Sequence, residues 1–342
     1  MTIKSSGSLS FTEIVAEWTG STPHSLSEYY SAGSIIYSGA ADGDGNTIPA
    51  SGAISFSDFY DTAKFSTTST ATASGASQGS GHNGGQSISS VTVPSGANAI
   101  YVFDTVAGGG GALRGSDHKG VGEDPGDGGG GGAAISAGYF TVVAGETLTL
   151  KVGNGGNDNQ AFWNTAVYSQ QSDTSNRNGG NTSIVGSSSG TLFDLGGGSG
   201  ASIISVGAFK SLRTDNVGAG GSVGSFNNAL SSGTTTSGAS VSSVSSSNGS
   251  SGSDGAAVGE NQSGTGGAGG NSGLGSGGGS GATNNVNGSD GTLGGGGGGG
   301  HSQSTSASPA SADGEGGSNS GFSTYGGRGG HGQLKYQFVR VV

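Results

Sequence analysis

The side chains that carry most enzyme chemistry are scarce in this chain and poorly spaced for it. His24, His82, His118, His301 and His331 are its only imidazoles, and Cys is absent, so thiolate metal sites, disulfides and thiol catalysis are excluded together. No pair of carboxylates falls in a strand or helix context that would set up acid–base work, and Ser is too frequent for a Ser-His-Asp spacing to be diagnostic. Asp42-Gly43-Asp44-Gly45-Asn46 opens like a calcium loop, but Ala53 stands where the acidic ligand at position 12 is required, so the stretch reads as a polar turn. Glu123-Asp124-Pro125-Gly126-Asp127 reads as an exposed acidic loop, with cation binding through backbone oxygens as the alternative. No Gly-x-x-x-x-Gly-Lys-[Ser/Thr] cradle occurs, and a bare Gly-x-Gly means almost nothing in a chain this rich in Gly. The expectation is no cofactor, no metal and no enzymatic activity.

Binding chemistry is better represented. Phe162-Trp163, Tyr168, Phe193, Phe209, Phe226, Phe322 and Tyr325 fall in spacers where a glycine array cannot bury them. Carbohydrate rings and protein partners both favour exposed aromatic platforms ringed by Asn, Gln and Asp, and Asn157-Asp158-Asn159-Gln160-Ala161-Phe162-Trp163-Asn164 has that composition. Phe162, Trp163, Tyr168, Phe226 and Tyr325 are the candidate receptor contacts. The alternative is that these rings cover a sheet or cap the ends of the Gly-rich array.

What must position them is unusual in composition. Gly supplies 79 of 342 residues, against a usual share of roughly 7%. Apolar residues make up 30% and charged residues 10%, so most polarity comes from uncharged Ser, Thr and Asn rather than from the charge that marks disorder. The net charge of −11, with no run of Lys or Arg, disfavours nucleic acid and anionic membrane surfaces as partners. Met1-Thr2-Ile3-Lys4-Ser5-Ser6-Gly7 lacks the apolar stretch of a signal peptide, and nothing approaches the roughly 18 apolar residues of a membrane span. Export by the general pathway is not expected.

Three regions follow along the chain. Residues 1–65 contain a near-repeat, Ser6-Gly7-Ser8-Leu9-Ser10-Phe11-Thr12-Glu13-Ile14 and Ser51-Gly52-Ala53-Ile54-Ser55-Phe56-Ser57-Asp58-Phe59, in which a Ser before an acidic residue opens a short capped helix. His24-Ser25-Leu26-Ser27-Glu28-Tyr29-Tyr30 suggests another helical turn between them. So small an apolar set predicts a module that docks on another chain, with Phe11, Ile14, Phe56, Phe59 and Tyr60 as its attachment residues. Residues 66–88 read as a Ser/Thr/Gly linker. From 89 to 342, strands are expected near 89–103, 139–152 and 333–342, bracketing the Gly-rich middle. Tyr139–Val143 and Thr147–Val152 are expected to form a hairpin about Ala144-Gly145-Glu146, and the last strand to pair with one near 91–103 or 139–152.

In the middle, glycines fall in steps of three, as at Gly264, Gly267, Gly270 and at Gly288, Gly291, Gly294, Gly297, Gly300. That period matches a left-handed extended helix with three residues per turn, which has no internal hydrogen bonds. Its N–H and C=O groups must find partners on neighbouring helices, which approach closely only where the facing residue has no Cβ. Collagen is excluded by its need for strict Gly-X-Y and abundant Pro, of which the chain has five; elastic silk-like repeats remain an alternative that the variable spacers disfavour. The competing expectation is a flexible Gly/Ser coil.

These features resemble the Gly-rich domains of bacteriophage tail-fibre and fibre-tip adhesin proteins over roughly residues 88–342. The resemblance rests on Val91-Thr92-Val93-Pro94-Ser95-Gly96-Ala97, on Val143 through Gly153, on Gly179-Gly180-Asn181-Thr182-Ser183, and on Gly326-Gly327-Arg328-Gly329-Gly330-His331-Gly332. Ser51–Tyr60 is similar to a short module at the starts of phage virion proteins. The resemblance implies a mainly β and irregular fold: a β-sandwich or jelly-roll-like element with a bundle of polyglycine II helices, plus a small N-terminal attachment module. It implies a virion protein, extracellular after lysis, that contacts other virion proteins through residues 1–65 and a host glycan or outer-membrane protein through its loops. Homotrimerisation is left open. The second reading is a structural spacer, decoration or filament protein without a receptor; a depolymerase would need a groove with paired acids.

Overall fold

The computed structural model describes residues 3–4, 6–18, 22–31, 35–36, 48–60, 69–72, 84–94, 97–113, 116–118, 122–124, 126–157, 163–164, 169–170, 177–205, 214–235, 239–256, 263–283, 287–298, 302–304, 321–323 and 326–341. Of residues 116–118, 122–124, 163–164, 169–170, 203–205, 214–216, 263, 302–304 and 321–323 the backbone alone is described. The fold is mainly β.

The N-terminal module is built from three turns of one pattern. Ser10-Phe11-Thr12-Glu13-Ile14 opens helix α1 (Phe11–Trp18), Ser25 precedes the 3-10 turn Leu26–Tyr29, and Ser55 precedes the 3-10 turn Phe56–Phe59. The expected caps are present: Ser10 N–H donates to Glu13 Oε2 at 2.7 Å and Ser55 N–H to Asp58 Oδ2 at 2.8 Å. Lys4 and the Ser10 donors hold the Glu13 carboxyl far down, at about 2. The second and third turns have nearly the same entry and exit, with φ −137°, ψ 152° at Ser25 and −128°, 164° at Ser55, and −64°, 141° at Tyr30 and −60°, 139° at Tyr60. The fourth apolar position of each turn, Ile14, Tyr29 and Phe59, is fully buried in one cluster with Ile3, Trp18, Ile36 and Ile48. The first, Phe11, Leu26 and Phe56, stays partly open.

Ten strands make two antiparallel sheets: β1 (Ser69–Thr72), β2 (Gln86–Thr92), β3 (Ala99–Val106), β4 (Ala134–Thr141), β5 (Thr147–Gly153), β6 (Thr182–Gly186), β7 (Gly190–Leu195), β8 (Ala229–Leu230), β9 (Ser245–Ser247) and β10 (Gln333–Val339). One sheet runs β1-β10-β3-β4, with β8 and β9 both on the free side of β4; the other runs β7-β6-β5-β2. Alternation sets the buried faces: Leu148, Leu150 and Val152 of β5 join Ile100 and Val102 of β3, Phe140 of β4, Ile184 of β6 and Phe193 of β7 in one apolar cluster. Phe140 and Phe193, from different sheets, meet at 5.5 Å between centroids.

Two expectations are corrected here. Tyr139–Val143 and Thr147–Val152 do not form a hairpin: β4 pairs with β3 and β5 with β2 and β6, so Ala144-Gly145-Glu146 is the corner where the chain passes between sheets. The corner is held by Val93, whose N–H donates to Glu146 O and whose carbonyl accepts from Gly145 N–H. The 66–88 linker contains β1, which adds to the outside of β10 through the register Ser69↔Tyr336 to Thr72↔Gln333. The last strand pairs with β3, as expected.

Several Gly-rich segments continue a strand out of the sheets, as after β3, β5, β7 and β9, or lead back into one, as before β4, β6 and β10. Segment 107–113 extends β3 and donates with a period of three. Ala107, Gly110 and Leu113 bond to Ala133, Gly130 and Asp127; Gly108 and Gly111 to Gly180 and Arg177; Gly109 and Ala112 to Gly330 and Gly327. It accepts from Gly156, from Gly198 and Ala201, and from Gly297, so six segments surround it. Segment 126–133, leading into β4, is surrounded the same way. It donates to Ser253 and Ser250, to Gly297 and Gly294, and to Ser199 and Gly196. It accepts from 107–113, from Gly218 and Gly221, and from Gly267, Gly270 and Gly273. The spacing is too close for side chains: an ideal Cβ on Gly110 would lie 2.0 Å from Ser199 O, and one on Gly130 2.0 Å from Ala219 O.

Candidate functional site

The segments run away from the sheets, and their register fixes which loops share the far end. Ala107 meets Ala133 beside the strands, whereas Leu113 donates to Asp127 O at 3.0 Å and Gly111 to Arg177 O at 2.8 Å at the other extremity. Beyond that end lie the paired strands Ser116–His118 with Gly122–Asp124, Trp163–Asn164 with Ser169–Gln170, Ser202–Ser205 with Thr214–Asn216, and the trio Ser263–Gly264, Ser302–Ser304 and Gly321–Ser323. The 116–124 hairpin lies against that trio, so loops distant in sequence form one cluster.

The candidate contacts divide accordingly. Trp163 lies in a distal hairpin as backbone; Phe162, Tyr168 and Tyr325 lie outside the described residues. Phe226 sits at the sheet end, half-buried against the core with its ring 6.1 Å from Phe140. Phe193, also expected in a spacer, is fully buried in β7. Sequence reading missed β6 and β7 because they do not alternate: Thr182, Ser183 and Ile184 are all buried in the first, and Leu192 and Phe193 side by side in the second. In the N-terminal module Ile14 and Phe59 serve the core, Phe11 and Phe56 remain available, and the Tyr60 hydroxyl donates to Gly7 O. Of the named glycines, Gly267, Gly270, Gly291 and Gly297 donate to neighbouring segments. Gly264 pairs with Ser302, Gly294 turns at φ +79°, and Gly300 lies outside the described residues. Asp42–Asn46 lies outside them as well. Asp127 is buried, with Oδ1 accepting from Gly255 N–H at 2.9 Å. Among the described residues no three His, Cys, Asp or Glu are placed to share a metal ion, and no helix is long and apolar enough to cross a membrane.

A further set of polar residues closes the edges of the array. Asn178 Oδ1 accepts from Gly200 N–H at 2.9 Å, Asn181 Oδ1 from Gly197 at 3.1 Å, Asn248 Oδ1 from Val223 at 2.8 Å and Asn271 Oδ1 from Gly278 at 3.1 Å. Asp290 Oδ1 accepts from Arg328 N–H at 2.7 Å, and His331 Nδ1 from Gly155 N–H at 3.1 Å. Ser250 and Ser253 hydroxyls accept from Asn271 and Ala268 at 2.7 Å. Side-chain acceptors thus replace carbonyls where no further segment stands, much as an N-cap does for a helix. Read from sequence, Asn, Ser or Asp on a third face signals only exposure; the Asn178-Gly179-Gly180-Asn181 spacing carries the capping signal. Asn178→Ala is expected to cost about 1 kcal/mol in urea unfolding, and Asn178→Asp, which keeps the acceptor, distinctly less.

No protein-family model matches the chain, and no curated protein matches its sequence.

Proposed function

We propose that this chain is a bacteriophage virion protein, a tail-fibre or fibre-tip adhesin, in which residues 1–65 attach to the particle and residues 89–342 present loops to the host surface. In this reading the paired sheets are a β-sandwich and the Gly-rich segments a bundle of polyglycine II rods. The observation that carries it is the period-three bonding around 107–113 and 126–133, which holds the roots of several loops at one end of the array. Fixed roots lower the ordering cost when a loop binds, and several copies on one particle multiply weak contacts with a glycan or outer-membrane protein.

The test is adsorption. Purified full-length chain, added in excess, is expected to block attachment of the particles that carry it to their host cells, and a variant with 158–176 replaced by a short Gly/Ser link to block less well. Unchanged adsorption at saturating chain would remove the adhesin role and leave a structural one, for which many copies along a shaft or capsid would be the signature.

A further inference from the structure

The chain enters the sheets through a strand that buries little but lies along a line of pull. β1 is four residues long; Thr70 and Thr72 are exposed, and only Ala71 packs, in part, against the core. So small a burial gives it a minor share in equilibrium stability. Its direction matters more. β3 runs toward the Gly-rich array and β10 returns from it, with Gln333 opposite Val106 at the array and Val339 opposite Ala99 at the far end. β1 lies antiparallel to β10, from Ser69 opposite Tyr336 to Thr72 opposite Gln333, so it points toward the array and a pull from its N-terminal side acts along its own axis. β2 runs the other way, from Gln86 opposite Gly153 at the array to Thr92 opposite Thr147, and among the described residues no strand pairs with its second edge.

When the particle holds residues 1–65 and a cell holds the distal loops, tension enters at Ser69 and leaves through the far end of the array. Resting on that reading, we propose that β1 is a mechanical clamp, a strand loaded in shear that keeps β2 from being peeled off the second sheet. Pulled along its axis, β1 must break its pairs with β10 together, because every bond of the ladder is stretched at once. β10 cannot follow, since it is paired with β3, and Gly329, Gly330 and Gly332 just ahead of it donate to Gly156, Gly295 and Gly153. Without β1 the same tension reaches Gln86, the array end of β2, and draws it back toward Thr92. That geometry opens the β2 and β5 ladder one pair at a time and yields at a much lower force. It also uncovers the core, to which Val93 belongs and against which Val91 packs.

Force spectroscopy on the isolated full-length chain, which has no Cys of its own, tests this. Two thiol pairs share one handle in the distal hairpin Ser116–His118. Ser66→Cys with Asp117→Cys loads the chain through β1, whereas Ser77→Cys with Asp117→Cys bypasses the strand and leaves each of its residues in place. The first pair is expected to rupture at a force at least about twofold above the second, since forced opening follows the barrier along the pulled direction rather than the equilibrium stability. A third chain carries the first pair with Ser69-Thr70-Ala71-Thr72 replaced by Gly-Ser-Gly-Ser. It is expected to fall to the bypass force while its melting temperature stays near the parent's, a combination that a merely structural strand would not give. Equal forces for the two thiol pairs overturn the clamp, as does an unchanged force in the third chain. Neither result touches attachment, which the adsorption assay decides separately, so failure of one reading is told apart from failure of the other.

Discussion

Gly297→Ala is expected to unfold the Gly-rich array as a unit, while Gly277→Ala leaves it intact or slightly stabilised. Gly297 N–H donates to Gly110 O at 2.9 Å and its carbonyl accepts from Gly129 N–H, so it ties together two segments that are each surrounded by six others. A Cβ there would lie 2.0 Å from Gly327 O and 2.4 Å from Gly327 C, which are backbone atoms and cannot rotate away. Relief requires moving 326–332, and with it the bonds of Gly327 to Gly298 and of Gly330 to Gly295. Overpacking of this kind, with several bonds lost, costs on the order of 4 kcal/mol. Gly277 has no atom within 4 Å of its ideal Cβ and no positive φ, so Ala there mainly restricts the unfolded chain, a gain of about 0.5 kcal/mol. Urea unfolding of the two variants measures the contrast; equal midpoints would show that segment contact does not hold the array.

Glu146→Ala should cost on the order of 3 kcal/mol and remove this carboxyl's share of the pH dependence expected of the parent. The side chain is 5% exposed at the corner between the sheets. Oε1 accepts from Val143 N–H at 2.7 Å, and Oε2 from Ser188 N–H at 3.0 Å, Ser189 N–H at 2.9 Å and the Ser189 hydroxyl at 3.1 Å. Burial pushes this carboxyl's pKa up, but the donors from Val143, Ser189 and Ser188 outweigh it and hold the group below its ordinary value. A carboxylate whose folded pKa is depressed stabilises the fold above its unfolded pKa and loses that contribution as pH falls through the folded one. Stability of the parent should therefore drop on acidification below the ordinary carboxylate range. Glu146→Gln, which must turn an amide donor toward one of these donors, should start lower and stay flatter. Parallel stability curves for parent and Glu146→Gln between neutral and acid pH would refute this account of the corner.

The parts of the fold legible in sequence were those in which neighbours along the chain decide the outcome. Alternation marked β3, β5 and β10, and Ser-before-acid marked the capped turns at Ser10 and Ser55; the glycine steps fall on Gly267, Gly270 and Gly273, which donate to Gly126, Gly129 and Gly132, but they did not mark the two surrounded segments 107–113 and 126–133. Pairing was less legible. Alternation says that Leu148, Leu150 and Val152 share a face, but not that β2 and β6 rather than β4 lie beside them. The array shows the same limit more strongly: Gly110 meets Gly130, Gly297 and, through the space its Cβ would need, Ser199, and nothing local in Gly108–Gly111 distinguishes those partners from any other glycine. The turn at Ser25 was expected as a helical turn, but its kinship with the other two was not, because Leu26, Glu28 and Tyr29 replace Phe56, Asp58 and Phe59; only their shared burial and exit angles make it plain. At the candidate surface, aromatic residues in a Gly-rich context marked both outward and inward rings, and Phe193 and Phe226 turn inward because β7 and the chain after it carry them back over the core.

The bond from Leu113 N–H to Asp127 O closes the root of the chain between them before any residue of that stretch takes part. Arg177 and Ala201, each at one end of another loop, are both bonded to Gly111 of the central segment. The architecture therefore separates what must be conserved from what is free to diversify. Peptides of different length and composition should be exchangeable between these clamped ends as cassettes without altering how the array folds.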